Sequence, residues 1–148
     1  MPLNSPFLRI FASGIACMSF AYMFGGVLGD CVNAFITGII LQVFLIPLKK
    51  TNVTSVLVNI LGGAVISFMT LTLINLGIGK DHNVIIIGSL MPLLPGHAIT
   101  NAIRDILEGD YLSGGARIMD AVLIATAVAA GSGVALKIWL FRFGGVAI

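Results

Sequence analysis

Apolar residues run almost without interruption along this sequence, and short polar or glycine-rich stretches divide them into five segments. A membrane-spanning helix needs about 20 apolar residues, which the segments approach or exceed. Only helices and closed barrels satisfy their backbone hydrogen bonds in lipid, and the alternating pattern of barrel strands is missing. The sequence therefore predicts an all-α integral membrane protein with about five transmembrane helices in one domain, residues 1–148. The predicted spans are residues 7–28, 32–48, 53–78, 84–107 and 118–140.

The composition argues against most other protein classes. Hydrophobic residues make up 58% of the 148 residues and charged residues only 9%, whereas a soluble domain carries about 25% charged residues. Eight Lys and Arg against six Asp and Glu are too small a basic excess for a nucleic-acid surface. Neither Cys17 nor Cys31 has the spacing of a metal or redox site, and no nucleophile pairs with an adjacent base. We expect no metal, no cofactor, no nucleic-acid partner and no enzymatic activity.

The Lys and Arg residues indicate the orientation, because short cytoplasmic loops carry more of them than external loops do. With the N-terminus inside, five fall on the cytoplasmic side: Arg9, Lys49, Lys50, Arg104 and Arg117. The other three fall outside: Lys80, Lys137 and Arg142. Five spans would then place the C-terminus outside.

Small residues recur every four positions along the last apolar segment: Ala121, Ala125, Ala129 and Gly133. In lipid, helices associate through close backbone approach, which small side chains allow. We interpret this face as a helix-packing surface. Packing within the chain is the simpler interpretation, and a subunit interface is the alternative.

The fourth segment is interrupted within the stretch "GSLMPLLPGHAITNAIRDILEGD". The apolar run 84–94 has 11 residues, which at 1.5 Å per residue cover roughly half of a bilayer core of about 30 Å. Pro92 and Pro95 each remove a backbone donor, and Gly96 costs about 1 kcal/mol in a helix interior relative to Ala. These residues predict a broken helix near the membrane midplane.

Helical periodicity resumes after the break, with a polar face opposite an apolar one. The polar residues are Thr100, Asn101, Arg104, Asp105 and Glu108, and Gly109 is a natural helix stop. Broken helices and their exposed N-termini form substrate sites in transporters. The stretch therefore predicts a polar site inside the membrane. The alternative is a proline kink followed by a cytoplasmic amphipathic turn with solvated charges.

Several residues near the break permit two interpretations each. Arg104 could pair with a substrate carboxylate, or it could neutralise Asp105 or Glu108. Asp120 could be an intramembrane acid, although an ion pair with Arg117 is the simpler interpretation. His97 could relay protons or merely line a cavity. Asp105, Asp120 and His97 are accordingly the candidates for coupling to protons.

The stretch "GSLMPLLPGHAITNAIRDILEGDYLSGGARIMDAVLIATAVAAGSGVAL", residues 88–136, resembles the threonine/serine exporter family of bacterial membrane proteins. The earlier stretch "FAYMFGG", residues 20–26, agrees more loosely. The resemblance highlights a substrate-binding set around the break: Pro95, Gly96, Thr100, Asn101, Arg104 and Asp105. It also highlights a structural motif: Pro92, Gly109, Asp110, Ser113, Gly114 and Arg117. His97 stands where the family pattern has an apolar residue, so a histidine relay would not be shared by the family.

The resemblance implies a multi-pass protein of the bacterial cytoplasmic (inner) membrane. The family exports small metabolites, named for threonine and serine, and some members are linked to dicarboxylates such as succinate. An ion or proton gradient is the implied driving force. The expected function is thus an exporter subunit for small amino acids or related carboxylates. The alternatives are a dicarboxylate exporter subunit and a non-transporting membrane scaffold.

The resemblance also implies a partner. Family proteins commonly carry a soluble region before these helices, and a second five-helix half follows or comes from a separate protein. This chain looks like one transmembrane half. We therefore expect a second five-helix membrane subunit or a homo-oligomer, with the lipid bilayer and a small-molecule substrate as the other partners.

Overall fold

The computed structural model describes residues 5–51 and 53–143, and within those ranges the secondary structure is entirely helical. Four helices are long and apolar enough to cross a membrane, and a pair bent by 58° makes a fifth crossing if it is counted as one span. The predicted all-α membrane fold is confirmed. The helices are α1 (Pro6–Met23), α2 (Leu28–Lys50), α3 (Ser55–Asn75), α4 (His82–Leu90), α5 (Gly96–Leu107) and α6 (Tyr111–Phe143), with a 3₁₀ turn at Met91–Leu93.

Two helix boundaries differ clearly from the predicted spans. The first helix ends at Met23 rather than near residue 28, because Gly25 adopts φ +89° and turns the chain. The last helix begins at Tyr111, seven residues before the predicted start at 118. Asp110 Oδ1 accepts the backbone N–H of Ser113 at 3.1 Å, and such a cap starts a helix even where the sequence is polar and glycine-rich.

The first four helices form a bundle that holds the apolar core. Helix α1 packs against α2 and α4, and α2 also packs against α3 and α4. One cluster of buried side chains joins α2, α3, the 3₁₀ turn and α6: Leu41, Leu45, Val58, Ile66, Leu93 and Val128. A second cluster joins α1, α2 and α4: Cys17, Ala21, Ala34 and Ile85. The 3₁₀ turn is therefore anchored in the core through Leu93.

Helix α6 is joined to the bundle mainly through α3. At their contact the backbone of Gly131 lies against the backbone of Ile60, and the backbone of Gly63 lies against Val128. A Cβ on Gly63 would come within 2.5 Å of the Val128 carbonyl oxygen. Backbones this close leave no space for a side chain, so both glycines are required by packing.

The predicted small-residue face of α6 is only partly used inside the chain. Ala121 is buried, but Ala125, Ala129 and Gly133 are exposed on the described chain. The side of α6 that contacts α3 carries Val128 and Gly131 instead. Packing within the chain therefore accounts for Ala121 but leaves these three residues exposed, and their role in contacts with another chain stays a prediction.

The α3–α6 contact gives a matched pair of glycine substitutions. Gly131→Ala should lower the free energy of unfolding by about 1–3 kcal/mol, because the new methyl group meets the backbone of Ile60. Gly133→Ala places a methyl group in open space, and it should be neutral or stabilising by up to about 1 kcal/mol. Thermal unfolding of the purified chain in mild detergent measures both. Equal destabilisation by the two variants would contradict the described contact.

Candidate functional site

The predicted break in the fourth apolar segment is confirmed, and it is a full interruption of the helix. Helix α4 ends at Leu90, the 3₁₀ turn follows, and Leu94 is extended before α5 begins at Gly96. Leu94 N–H donates to the Met91 carbonyl at 3.2 Å, and Gly96 N–H donates to the Leu94 carbonyl at 2.8 Å. No side chain caps the first turn of α5. The break therefore presents an uncapped helix N-terminus that is exposed at Gly96.

The break lies nearer one end of the bundle than the predicted midplane position. Leu93 packs where a Cβ on Gly62 would point. At 1.5 Å per residue, Gly62 is about 10 Å from the start of α3 at Ser55 and about 20 Å from its end at Asn75. The segment extends further across the bundle than predicted for two reasons. Helix α4 begins at His82, two residues before the predicted start, and the 3₁₀ turn rises about 2.0 Å per residue rather than 1.5 Å. The break thus faces the side that the charge bias assigns to the cytoplasm.

The substrate-binding residues predicted from the sequence do not form one cluster. Pro95 and Gly96 lie at the break, and the Thr100 hydroxyl donates to the Gly96 carbonyl at 2.9 Å. Asn101 is exposed one turn further along. Arg104 follows Gly96 by eight residues, which is about 12 Å of helix. Thr100, Asn101 and Arg104 therefore lie at exposed positions of α5, where His97 is exposed as well, whereas Asp105 is half-buried against α6.

The charged residues of α5 and α6 form two ion pairs. Arg104 Nε lies 3.0 Å from Glu108 Oε1, and the two side chains are 77% and 62% exposed. Arg117 Nε lies 2.8 Å from Asp105 Oδ2, and Ser113 Oγ donates to the same oxygen at 2.8 Å. The expected Arg117–Asp120 pair is wrong, because the hairpin turn brings Asp105 to Arg117 instead.

The structural motif builds the hairpin between α5 and α6. Gly109 turns the chain with φ +90°, and Asp110 caps α6. Gly114 is buried, and a Cβ there would come within 2.9 Å of the Ala102 carbonyl oxygen. Together with the Asp105–Arg117 pair, these contacts hold α5 along the first turns of α6. Helix α5 has its main contacts with α6 and leaves its polar face uncovered.

Two adjoining cavities lie beside the break, and we refer to them together as the break cavity. One has a volume of about 490 Å³ and the other about 370 Å³. They share Gln42, Lys49 and Pro92 as lining residues. The larger cavity adds residues of α1 and the 3₁₀ turn, among them Arg9, Ser13, Phe20 and Met91. The smaller adds residues at the start of α3, among them Ser55, Val58 and Asn59.

Sequence reasoning did not identify this cavity, because its residues are distant along the chain. Arg9 and Lys49 were interpreted only as loop cations that indicate orientation. Gln42 is the one signal that could have been noticed, because it is an amide inside an apolar run. An amide within a membrane span is costly unless it faces a partner or a cavity.

A buried polar network at the opposite end of the bundle was missed as well. Asp30 is 2% exposed and accepts backbone N–H bonds from Val27, Lys80 and Asp81, at 3.1, 2.6 and 3.2 Å. Asn33, one turn later, donates to the carbonyl of Ile78 at 2.7 Å. These bonds tie the start of α2 to the loop between α3 and α4. The spacing of Asp30, Asn33 and Thr37 along one helix face was the available signal.

Three further hydroxyl groups are buried without a hydrogen-bond partner among the described residues: Ser67, Thr70 and Ser89. A buried hydroxyl without a partner costs about 1–3 kcal/mol. The core between α3 and α4 is therefore more polar than the apolar sequence suggests. In the same described ranges, no three His, Cys, Asp or Glu side chains are grouped so that they could hold a metal ion.

Comparison with known proteins gives one family. A family model described as "Putative threonine/serine exporter" matches residues 2–139. No curated protein and no solved structure matches the chain. The match covers every helix described above except the last four residues of α6.

The two ion pairs of the α5–α6 hairpin, Asp105–Arg117 and Arg104–Glu108, should differ in strength. A double-mutant cycle on Asp105 and Arg117, with each changed to Ala, should give a coupling energy of about 1 kcal/mol, because the carboxylate is half-buried and shared with Ser113. The same cycle on Arg104 and Glu108 should give about 0.3–0.5 kcal/mol, because that pair is exposed. Unfolding free energies of the purified chain measure both. A larger coupling at Arg104 and Glu108 would contradict the arrangement described here.

The polar network gives a second prediction. Asp30→Ala should lower the free energy of unfolding by about 3 kcal/mol or more, because three backbone N–H groups lose a shared carboxylate acceptor. Asp81→Ala is the control at the same end of the bundle, since exposed Asp81 caps only Asn83, and it should cost about 1 kcal/mol. Denaturation of the two variants in detergent tests this, and similar losses would refute the special role of Asp30.

Proposed function

Because nearly its whole length matches that model, the chain belongs to the threonine/serine exporter family, and we propose that it forms one transmembrane half of a secondary exporter. The substrate is a small amino acid such as threonine or serine, or a related carboxylate. The proposal includes no catalytic step and no cofactor. The chain acts as a single transmembrane domain of the bacterial inner membrane, with α1 starting on the cytoplasmic side.

The observation that carries the proposal is the broken helix with a cavity beside it. Discontinuous helices in transporters expose backbone groups and helix N-termini to a substrate. Here Pro95 and Gly96 place the uncapped start of α5 after a turn whose Pro92 lines the break cavity. We place the substrate at this break. The cavity lies at the bundle end assigned to the cytoplasm, which is where an exporter loads its substrate.

The polar face of α5 extends the proposed path beyond the break. A polar face is unfavourable against lipid, so Thr100, Asn101 and Arg104 need a water-filled path or a partner. We propose that in the assembled transporter they line the path and that Arg104 meets the substrate carboxylate as it passes. The i,i+4 pair with Glu108 is weak enough to exchange for a substrate.

We assign the coupling of substrate export to protons to the Asp105 carboxylate of the hairpin. Protonation of Asp105 would remove its ion pair with Arg117 and weaken the contact between α5 and α6. Asp120, which is exposed further along α6, and His97 at the start of α5 are the other candidates.

A second five-helix half, or a second copy of this chain, is the proposed partner. The exposed face Ala125, Ala129 and Gly133 allows a helix to approach closely. The same face supports the alternative function, a scaffold that organises other membrane subunits without transport. A scaffold tolerates changes at Thr100, Asn101 and Arg104 but not along the small-residue face.

The test is made in the native host with the chain deleted and its partner present. The deletion strain receives wild type, Arg104→Ala or the control Arg142→Ala, at matched membrane levels, and cells are loaded with threonine, serine or succinate. We expect a solute that accumulates without the chain, is cleared by wild type and Arg142→Ala, and is cleared at least about tenfold more slowly by Arg104→Ala, the loss expected for one charged contact.

Normal clearance by well-inserted Arg104→Ala would contradict the proposed role of Arg104. No change in any solute on deletion would favour the scaffold. In that case, loss of subunit association on replacing Ala129 or Gly133 with Leu would support it directly.

A further inference from the structure

Four polar side chains are completely buried between α2, α3 and α4, and we refer to them as the interior cluster: Asn33, Thr37, Thr70 and Ser89. Asn33 Nδ2 donates to the Thr70 carbonyl at 3.3 Å, and the Thr37 hydroxyl donates to Asn33 Oδ1 at 3.2 Å. Two of the four belong to α2, one to α3 and one to α4. The interior cluster therefore joins three helices in a part of the bundle that no cavity near the break reaches.

Ser89 is placed in this cluster by the packing of α4 along α2. Both helices begin at the same end of the bundle, where a Cβ on Gly79 would lie within 3.4 Å of Asn33 and of Ile85. Thr37 follows Asn33 by four residues, and Ser89 follows Ile85 by four residues. Both are thus one helical turn deeper, at the same level of the bundle.

Contacts with Cys17 of α1 give the same placement. Cys17 Sγ lies 3.9 Å from the Ser89 carbonyl oxygen. A Cβ on Gly38, the neighbour of Thr37, would lie 2.7 Å from the same sulfur. Ser67, the third buried hydroxyl without a partner, lines a different cavity against α6 and is not part of the cluster.

The hydroxyl groups of Thr70 and Ser89 differ from the exposed hydroxyl groups of the same chain. A helical Ser or Thr can donate to the carbonyl four residues earlier. Four exposed residues do so, at distances between 2.7 and 2.9 Å: Ser19, Thr72, Thr100 and Thr126. Thr70 and Ser89 make neither this bond nor another one to the described residues. Because buried polar groups are nearly always paired, the two oxygens indicate a ligand that the described chain does not supply.

The charges around the interior cluster favour a cation. Asp30 lies one turn before Asn33 on α2, is buried, and forms no salt bridge with the described residues. Ser89 lies in the last turn of α4, and a helix C-terminus carries partial negative charge. Pro92 has no N–H group for the Gly88 carbonyl, so this last turn lacks one of its helical donors. In transporters, the C-terminal ends of broken helices coordinate Na⁺.

The type of ligand atom favours a monovalent ion. Hydroxyl and amide oxygens are hard, neutral acceptors, and each has two lone pairs. A buried divalent ion held by neutral oxygens would keep most of its charge uncompensated, which is very unfavourable away from water. The single carboxylate of Asp30 balances one positive charge.

We propose that the interior cluster binds a monovalent alkali-metal cation. The ligands are four side-chain oxygens: Asn33 Oδ1, Thr37 Oγ1, Thr70 Oγ1 and Ser89 Oγ. The site is separate from the break cavity, and it does not depend on the proposed transport function. Its ligands are neutral oxygens rather than His, Cys, Asp or Glu side chains.

Thermal unfolding of the purified full chain in mild detergent tests the site, with NaCl, KCl and choline chloride compared at equal ionic strength. Choline is too large to enter a closed cluster. We expect at least one alkali salt to raise the Tm above that in choline. The free energy of unfolding should then rise by about 1.4 kcal/mol for each tenfold increase of that cation above its Kd. The same Tm in all three salts would overturn the proposal.

Two substitutions locate the effect in the interior cluster, because Thr70→Val and Ser89→Ala each remove one ligand oxygen. In choline both variants should be at least as stable as wild type, since an unpaired buried hydroxyl is removed. Their affinity for the alkali cation should fall at least about tenfold. Thr72→Val is the matched control, because exposed Thr72 donates to the Phe68 carbonyl on the same helix, and it should leave the affinity unchanged.

Ordered water is the other ligand that these hydroxyl groups could bind. With water alone, Thr70→Val and Ser89→Ala would change the Tm by the same amount in every salt, and this outcome would refute the cation. Equilibrium binding of radioactive Na⁺ and of Rb⁺ as a K⁺ substitute gives a second measurement. Saturable binding by wild type and Thr72→Val, but weakened in folded Thr70→Val and Ser89→Ala, supports the site. Absence of saturable binding by wild type, or equal binding by all four proteins, would reject it.

Discussion

Every backbone amide and carbonyl inside a bilayer must find its hydrogen-bond partner within the protein, and the rest of this structure depends on how the fourth segment meets that demand. Pro92 and Pro95 have no N–H group, so the interruption removes two donors that would otherwise need partners. The donors of Leu94 and Gly96 are satisfied by carbonyls two or three residues earlier. A non-helical stretch is thereby tolerated at a depth where an ordinary loop would be unfavourable. The side chain of Leu93, inserted against Gly62, holds the stretch in place.

At the opposite end of the bundle, side chains provide the hydrogen-bond partners of the backbone. There the chain turns between α3 and α4, and Gly79 adopts φ +91°. The carboxylate of Asp30 and the amide of Asn33 satisfy backbone groups of that turn. One end is therefore fixed by buried hydrogen bonds, while the other contains the break and an open cavity. This asymmetry fits the proposed transport function, in which the end with the break would admit the substrate.

The helical fold and the position of the break along the chain could be predicted from the sequence, because both follow from local residue chemistry. The start of α6 could not, since the cap at Asp110 outweighs the polar composition of the following turn. The partner of Arg117 was also missed, because proximity in sequence favoured Asp120, while the hairpin brings Asp105 within 2.8 Å. The break cavity depends on residues of α1, α2, α3 and the 3₁₀ turn, and no sequence pattern joins Arg9 to Lys49. Local sequence patterns predict helices and their interruptions. A site formed between helices can be located only when the packing of those helices is known.

The break cavity and the α5–α6 hairpin differ in whether their cations have carboxylate partners. In the part of the chain that the structure describes, no Asp or Glu lines the break cavity beside its cations, Arg9 and Lys49, whereas the hairpin cations Arg104 and Arg117 are each paired with a carboxylate. A cation without a carboxylate partner attracts an anion from water. A cation that is already paired can bind the anion only if the anion replaces its carboxylate partner. A substrate carboxylate would thus enter where positive charge is uncompensated and proceed where each contact replaces an existing ion pair. Because such exchanges are nearly balanced in free energy, the hairpin in the proposed exporter would release the substrate that the break cavity binds.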